Sequence, residues 1–153
     1  MTGAGSGAET AGGARVALVT GAGRGIGRAV AQRLSAEGLR VALVARDAGQ
    51  LAETAALCAG PALALPADVT DEGQVQDVFG AVEEAWGPVE VLVAAAGGGF
   101  SARLEETSDA DWQRMLDLNL TAPFRCARRA VPGMRAGGWG RMKREEQDGH
   151  GDS

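Results

Sequence analysis

The sequence predicts an α/β fold, a doubly wound parallel sheet with strand order 3-2-1-4. Three observations carry that prediction. The apolar run Val16-Ala17-Leu18-Val19-Thr20 leads into a glycine-dense turn, Gly21 to Gly27, and then into helix-like sequence. Strand-like and helix-like segments alternate from there to about residue 136, as in a parallel sheet joined by crossover helices. Right-handed crossovers then give the order 3-2-1-4 and put a ligand cleft at the carboxyl ends of strands 1 and 4.

The elements follow in order. Arg28 to Leu34 reads as the first helix, with Ile26, Ala29, Val30 and Leu34 on one face. Val41 to Ala45 is a second apolar strand, ending at Arg46-Asp47. The next helix runs from about Ala48 to Cys58, with Leu51, Ala55 and Cys58 roughly aligned. Ala62 to Ala67 is a shorter third strand. Thr70 is the expected N-cap of the following helix, with Asp71 and Glu72 complementing its dipole. Val75, Val78, Phe79, Val82 and Trp86 form that helix's stripe, Gly87-Pro88 stops it, and Val89 to Ala95 is a fourth strand. A loop with Gly97-Gly98-Gly99, Phe100 and Ser101 comes next. Ser108-x-x-Asp111 resembles a capping box and opens the longest helix, with Trp112, Met115, Leu116, Leu120, Phe124, Ala127, Val131 and Met134 as its apolar positions.

After Gly137-Gly138-Trp139-Gly140 the alternation breaks. Residues 137–153 carry no apolar run and no period of two, so they read as a disordered polar tail. Strand 4 would then be an apolar edge, which predicts low stability or aggregation. Residues 1–14 are small and polar, without a basic and apolar signal pattern, and read as a disordered leader. Residues 15–136 would form one partial domain. A net charge of −5 argues against a nucleic-acid or anionic-membrane surface. No apolar run approaches the ~18–20 residues of a membrane span. Cys58 and Cys126 are isolated small fillers, not metal ligands, and suit a cytoplasmic location.

The glycine turn has chemistry of its own. A helix N-terminus offers unpaired N–H groups and a positive dipole end, and glycines let a pyrophosphate approach the backbone. The spacing Thr20-Gly21-x3-Gly25-x-Gly27 is neither G-x-G-x-x-G nor a P-loop, which would need Gly-Lys-Ser/Thr. Directly after a first strand, it resembles the short-chain dehydrogenase/reductase family. The resemblance spans roughly Arg15 to Arg141. It implies a Rossmann-like fold, an NAD(P)(H) cofactor and hydride transfer with a small carbonyl or alcohol substrate.

Cofactor positions follow residue by residue. Gly21, Arg24, Gly25, Ile26 and Gly27 would meet the pyrophosphate or the adenosine side. At the end of strand 2 an acid would bind ribose hydroxyls, whereas the Arg46 found there matches a 2′-phosphate in charge and fork geometry, unless it is simply solvated. With Arg24 nearby, the resemblance favours NADP(H) over NAD(H). Asp68 and Val69 stand where the family's Asp-Val pair binds adenine; Asp68 could equally serve the next helix's dipole. Ala94-Ala95-Ala96-Gly97 takes the place of the family's Asn-Asn-Ala-Gly, leaving backbone contacts from Ala95 and Gly97.

Asn119 matches the family's catalytic-tetrad Asn. Pro123, lacking an N–H, would leave the Asn119 carbonyl free to hold a water, or would merely mark a kink. The rest of the tetrad, a Ser and Tyr-x3-Lys, is absent: the chain has no tyrosine, and its only lysine is Lys143. Ser101 and Ser108 do not match the missing Ser, and His150 reads as a solvated tail residue. The long helix resembles one used in the family for subunit pairing, so a homo-oligomer is a further expectation. Three readings stay open: an NADP-dependent oxidoreductase by family, a non-catalytic dinucleotide-binding protein, and a truncated or frame-shifted product without a role. A methyltransferase reading is weaker, because Arg46 stands where that class places an acid.

Overall fold

The computed structural model describes residues 13–99 and 101–144. Phe100, the bulk of the expected leader, and residues 145–153 with His150 lie outside the described residues. In chain order the elements are β1 (Val16–Thr20), α1 (Gly25–Ala36), β2 (Arg40–Ala45), α2 (Ala48–Leu57), β3 (Ala62–Pro66), α3 (Glu72–Trp86) and β4 (Val91–Ala94). A short 3₁₀ turn (Leu104–Glu106), α4 (Asp109–Leu116), a π-helical turn (Asp117–Thr121), α5 (Ala122–Ala136) and β5 (Arg141–Arg144) complete them. All strands pair in parallel, in the order β3-β2-β1-β4-β5.

The doubly wound arrangement follows from strands that are apolar on both faces. In β1, Val16 and Leu18 pack into one core with Ala42, Val44 and Leu92, covered by Val75, Phe79 and Val82 of α3 and by Ala122, Cys126 and Ala130 of α5. Ala17 and Val19 point the other way, into a core with Val41, Leu43, Val93, Ala31 of α1 and Leu51 of α2. Phe79, Leu18, Leu43, Leu51 and Leu92 are among the largest wholly buried side chains. Each such residue contributes roughly 1.5–3 kcal/mol relative to exposure, so the middle of the sheet dominates stability.

The sheet departs from the sequence reading at its far edge. Residues 141–144, read as polar tail, form β5, which pairs Arg141 with Val91 and Arg144 with Ala94. β4 is therefore an interior strand, and the expected apolar edge is not there. Arg141-Met142-Lys143-Arg144 carries no alternation because all four residues are exposed, so the strand is held by its backbone ladder rather than by burial. A basic edge strand also resists pairing with other chains. At the base of β1 and β4, Arg15 stacks on the Trp139 ring at 3.5 Å and pairs with Glu90 at 2.9 Å. Arg141 N–H donates to the Glu90 carbonyl, starting the β5 ladder there.

Helix details also differ. In α1 the buried positions are Gly27, Ala31 and Ser35, with Val30 and Leu34 partly buried, while Ala29 is exposed and Ile26 is 43 % exposed. Close approach at Gly27 sets this rotation. In α2 the wholly buried pair is Leu51 and Thr54, with Ala55 and Cys58 only partly covered. Asp71, not Thr70, caps α3, accepting from the Gln74 N–H; Thr70 is drawn back to Asp68. Ser108 does cap α4, accepting from the Asp111 N–H. The long helix is split by the π turn, in which Ala122 N–H reaches back to the Asp117 carbonyl just before the donor-less Pro123. In α5 it is Ala122, Cys126, Ala130 and Met134 that face the sheet. Trp112, Leu120 and Phe124 are each more than half exposed, so that part of the expected stripe points outward.

Candidate functional site

The parallel register brings the sequence-expected positions to one edge. Thr20 of β1 stands opposite Val44 of β2 and Ala94 of β4, and Val44 stands opposite Leu65 of β3. The segments leaving these strands, Gly21–Gly27, Arg46, Asp68-Val69 and Ala95–Gly97, therefore emerge side by side at the carboxyl edge. Asn119 reaches the same edge from the π turn. Lys143 does not: it lies on β5 opposite Val93, within the ladder. Among the described residues no cluster of His, Cys, Asp or Glu is arranged to hold a metal ion.

The turn after β1 is tight enough to require glycine at two points. Gly21 has φ +66°, and a Cβ there would lie 2.6 Å from the Ala96 nitrogen. A Cβ on Gly27 would lie 2.1 Å from the Gly21 carbonyl oxygen, so α1 starts in contact with the strand it follows. Outward the turn is open: a Cβ at Gly25 would meet no described residue within 4 Å, and Arg24 and Ile26 are exposed beside it. No side chain caps the N-terminus of α1. An open glycine turn at an uncapped helix N-terminus has the shape and dipole to receive an anionic group.

Side chains of α1 and α2 hold this turn from behind, a feature the sequence reading missed. The Thr54 hydroxyl, wholly buried, donates to the Ala22 carbonyl at 2.8 Å. Arg28 donates through Nε to Thr54 Oγ1 at 3.0 Å and through Nη2 to the Gly23 carbonyl at 2.6 Å. It also pairs with Glu53 at 3.0 Å. The Ala22 N–H is tied to the Val44 carbonyl at 3.1 Å. A polar residue such as Thr54 in the buried i, i+3 register of Leu51 was the available signal.

On the β2–β3 side, Arg46 is exposed. Asp68 accepts from the Thr70 hydroxyl at 2.7 Å and the Thr70 N–H at 2.9 Å. The hydroxyl bond is the main reason its carboxyl is held below the usual range; burial opposes, and the Thr70 N–H and the Arg46 charge add to the lowering. Gln74 accepts from the Asp68 N–H at 2.8 Å, and Arg125 of α5 donates to the Thr70 carbonyl at 3.0 Å. Val69 is buried and gives the segment an apolar floor.

Beyond β4 the buried Thr20 hydroxyl accepts from the Ala96 N–H at 3.2 Å. The Asn119 amide pairs with the backbone of Gly98, donating to its carbonyl at 2.8 Å and accepting from its N–H at 3.3 Å. It donates also to the Met115 carbonyl at 3.0 Å. Asn119 thus clamps the glycine loop to the helix that carries it. Ala95 is partly buried behind Gly21, and Gly97 is exposed beside Asn119 Oδ1. Thr20, Val69, Ala96, Ala122, Pro123 and Cys126 surround a small gap beneath this loop. Burial in an apolar setting pushes the Cys126 thiol up to about 11.

Known proteins share this fold. A family model described as short chain dehydrogenase matches residues 15–142. The 3-oxoacyl-[acyl-carrier-protein] reductase MabA of Mycobacterium tuberculosis is 41% identical over 128 residues, which is 84% of this chain and 49% of that protein. The BbsC subunit of (2S)-[(R)-hydroxy(phenyl)methyl]succinyl-CoA dehydrogenase of Thauera aromatica is 39% identical over 131 residues, 84% of this chain and 52% of its own. Among solved structures, L-sorbose reductase from Gluconobacter frateurii, complexed with NADPH and L-sorbose, superposes with a TM-score of 0.82 at 35% identity, over 86% of this chain and 52% of the other. A metagenomic short-chain oxidoreductase in complex with NADP gives a TM-score of 0.81 at 34% identity, over 86% and 62%. The chain spans about half the length of the curated relatives it matches. The sheet order, the glycine turn and the match from residue 15 to 142 together establish that this chain belongs to the short-chain dehydrogenase family of oxidoreductases.

Proposed function

We propose that this chain is the dinucleotide-binding half of a short-chain dehydrogenase and that it prefers NADP(H) to NAD(H). One observation carries the reading: the open glycine turn, exposed Arg46 and the Asp68-Val69 segment stand next to one another at the carboxyl edge. The fit is chemical. Backbone N–H groups at the start of α1 would take the pyrophosphate. Arg46, with Arg24 across the turn, would grip a 2′-phosphate. Asp68 would accept from the adenine amine over the floor made by Val69.

When bound, the dinucleotide supplies or accepts a hydride at its nicotinamide ring. The residues described hold, orient and shield; they do not transfer the accompanying proton. Asn119 spends its amide on the Gly98 backbone and serves to position the loop at the nicotinamide end. The chain carries no phenol, so reduction of a carbonyl is the property of a whole protein that supplies the proton donor. Its substrate class, by family, is a small carbonyl or alcohol. The outward stripe of Trp112, Leu120 and Phe124 supports self-association through the α4–α5 face.

The test is titration of the chain with NADPH and NADH, followed by tryptophan or cofactor fluorescence, in the parent and in Arg46→Asp. The parent is expected to favour NADPH, and the variant to lose about tenfold or more in NADPH affinity as a guanidinium–phosphate pair is replaced by like charges. Unchanged NADPH affinity removes Arg46 from the site. Measurable NADPH oxidation by the parent alone with a panel of aldehydes and ketones would overturn the view that catalysis needs more than this chain.

A further inference from the structure

We propose that Arg28 and Thr54 are positioning residues for the dinucleotide's pyrophosphate, acting through the backbone of the glycine turn; the inference rests on the dinucleotide reading above. The argument begins with the peptide planes. All peptide bonds among the described residues are trans, so each N–H points opposite to the carbonyl it follows. The Ala22 carbonyl is drawn toward α2 by the Thr54 hydroxyl at 2.8 Å, which turns the Gly23 N–H away from α2. The Gly23 carbonyl is drawn the same way by Arg28 Nη2 at 2.6 Å, which turns the Arg24 N–H away as well. Two successive amides are thereby aimed at the open side of the turn, where an anion would sit.

The one proton of the Thr54 hydroxyl has two carbonyls in reach, and the Ala22 carbonyl at 2.8 Å is nearer than the Gln50 carbonyl of its own helix at 3.1 Å. Thr54 is wholly buried, yet its hydroxyl bonds the turn and accepts from Arg28 Nε at 3.0 Å, so hydroxyl and guanidinium fix each other. Arg28 is anchored in turn by the Gln50 carbonyl and the Glu53 carboxylate. The Arg28 charge is answered by Glu53, so its part is to orient the backbone rather than to pair with the ligand. Glycine at 21, 23 and 25 leaves the turn little stiffness of its own. Without the brace, ordering those two amides is left to the ligand, and affinity falls.

Isosteric variants separate bonding from packing. Thr54→Val keeps the volume and loses the hydroxyl, whereas Thr54→Ser keeps the hydroxyl. Backbone amide resonances of Gly23 and Arg24 are followed by NMR in the whole chain as NADPH, NADH and inorganic pyrophosphate are added. We expect Thr54→Val and Arg28→Met each to weaken both dinucleotides equally, by about tenfold, as one or two lost hydrogen bonds would, with Thr54→Ser close to the parent. A folded Thr54→Val variant with parental affinity overturns the proposal and leaves the dinucleotide reading standing, as does a loss confined to NADPH. A parent chain that responds to none of the three ligands overturns both. Should Thr54→Val fail to fold, Arg28→Met, at a partly exposed side chain, decides the matter on the same terms.

Discussion

On the dinucleotide reading proposed above, the carboxyl edge has an adenosine side, around the ends of β1, β2 and β3, and a nicotinamide side, around the end of β4. On the first side the backbone is held by side chains from other elements: Thr54 and Arg28 hold the glycine turn, and Gln74 and Arg125 hold the Asp68–Thr70 segment. On the second, one side chain serves each point, Thr20 for Ala96 and Asn119 for Gly98, and among the described residues nothing lies within 4 Å of a notional Cβ at Gly99. If the proposed reading holds, the difference teaches that recognition and chemistry are stored separately. Binding an anion needs amides aimed before the ligand arrives, whereas a loop at the reacting end can be left to be shaped by what packs against it.

The largest expected effect breaks the comparison at its glycines. Gly27→Val puts a branched side chain where a single Cβ already lies 2.1 Å from the Gly21 carbonyl oxygen, which only backbone movement can relieve. It should cost about 3 kcal/mol or more of unfolding free energy in urea titrations. Gly99→Ala, on the other side, should stay within about 0.5 kcal/mol of the parent. Equal costs at the two positions would remove the contrast in packing.

The same contrast decides what was legible in the sequence. Strands β1, β2 and β4 could be read because burial on both faces calls for an unbroken apolar run, and the α3 stripe because burial on one helical face imposes a period; β3, at the sheet's edge and only partly buried, was legible from its short apolar run alone. β5 was not, because a strand exposed at all four residues owes its place to the β4 ladder and leaves no period. The faces of α1 and α5 were misjudged for a related reason: small residues, Gly27 and Ala31 in one and Ala122 and Ala130 in the other, let these helices sit close to the sheet while Ile26, Leu120 and Phe124 turn outward. The segments that line the candidate site were readable from their places after the strands. Their braces were harder to read: Thr54 stood out only as a polar residue in the buried register of Leu51, and the partners of Thr54, Gln74 and Arg125 lie 32, 6 and 55 residues away along the chain.

Next in size is an alkaline effect beneath the nicotinamide side. The Cys126 thiol ionises at about 11 in the fold against 9.0 ordinarily, so its stabilisation is complete below pH 9 and is lost as pH rises toward 11. The loss should reach about 2–3 kcal/mol at pH 11, and Cys126→Ala should flatten that part of the stability profile. The chain has no tyrosine to obscure the titration. A parent and variant with parallel profiles from pH 8 to 11 would mean that water reaches the thiol through the gap around Ala96 and Pro123. Smaller again, Asn119→Ala removes the clamp on Gly98 and should cost about 1 kcal/mol while speeding exchange of the Gly98 amide. Binding of adenosine 2′,5′-bisphosphate, which reaches only the adenosine side, should not change; if it weakens, the two sides are coupled and the comparison fails.

The smallest effect sharpens the adenosine side itself. The Asp68 carboxyl is held below its ordinary 3.8, chiefly by the Thr70 hydroxyl, with the Thr70 N–H and Arg46 helping and burial opposing. A lowered value means the unfolded chain takes up the proton first. The stabilisation is therefore present above pH 3.8 and lost as pH falls through the folded value. Thr70→Val should accordingly lower stability at neutral pH and converge with the parent in acid, whereas Arg46→Ala should do the same more weakly because its charge acts through water. Acid-unfolding curves followed by circular dichroism read both. If Arg46→Ala moves the curve more than Thr70→Val, Asp68 and Arg46 form a working ion pair. A 2′-phosphate would then have to displace a carboxylate to reach Arg46, and the preference for NADP(H) would weaken with rising pH across the acid range as Asp68 ionises.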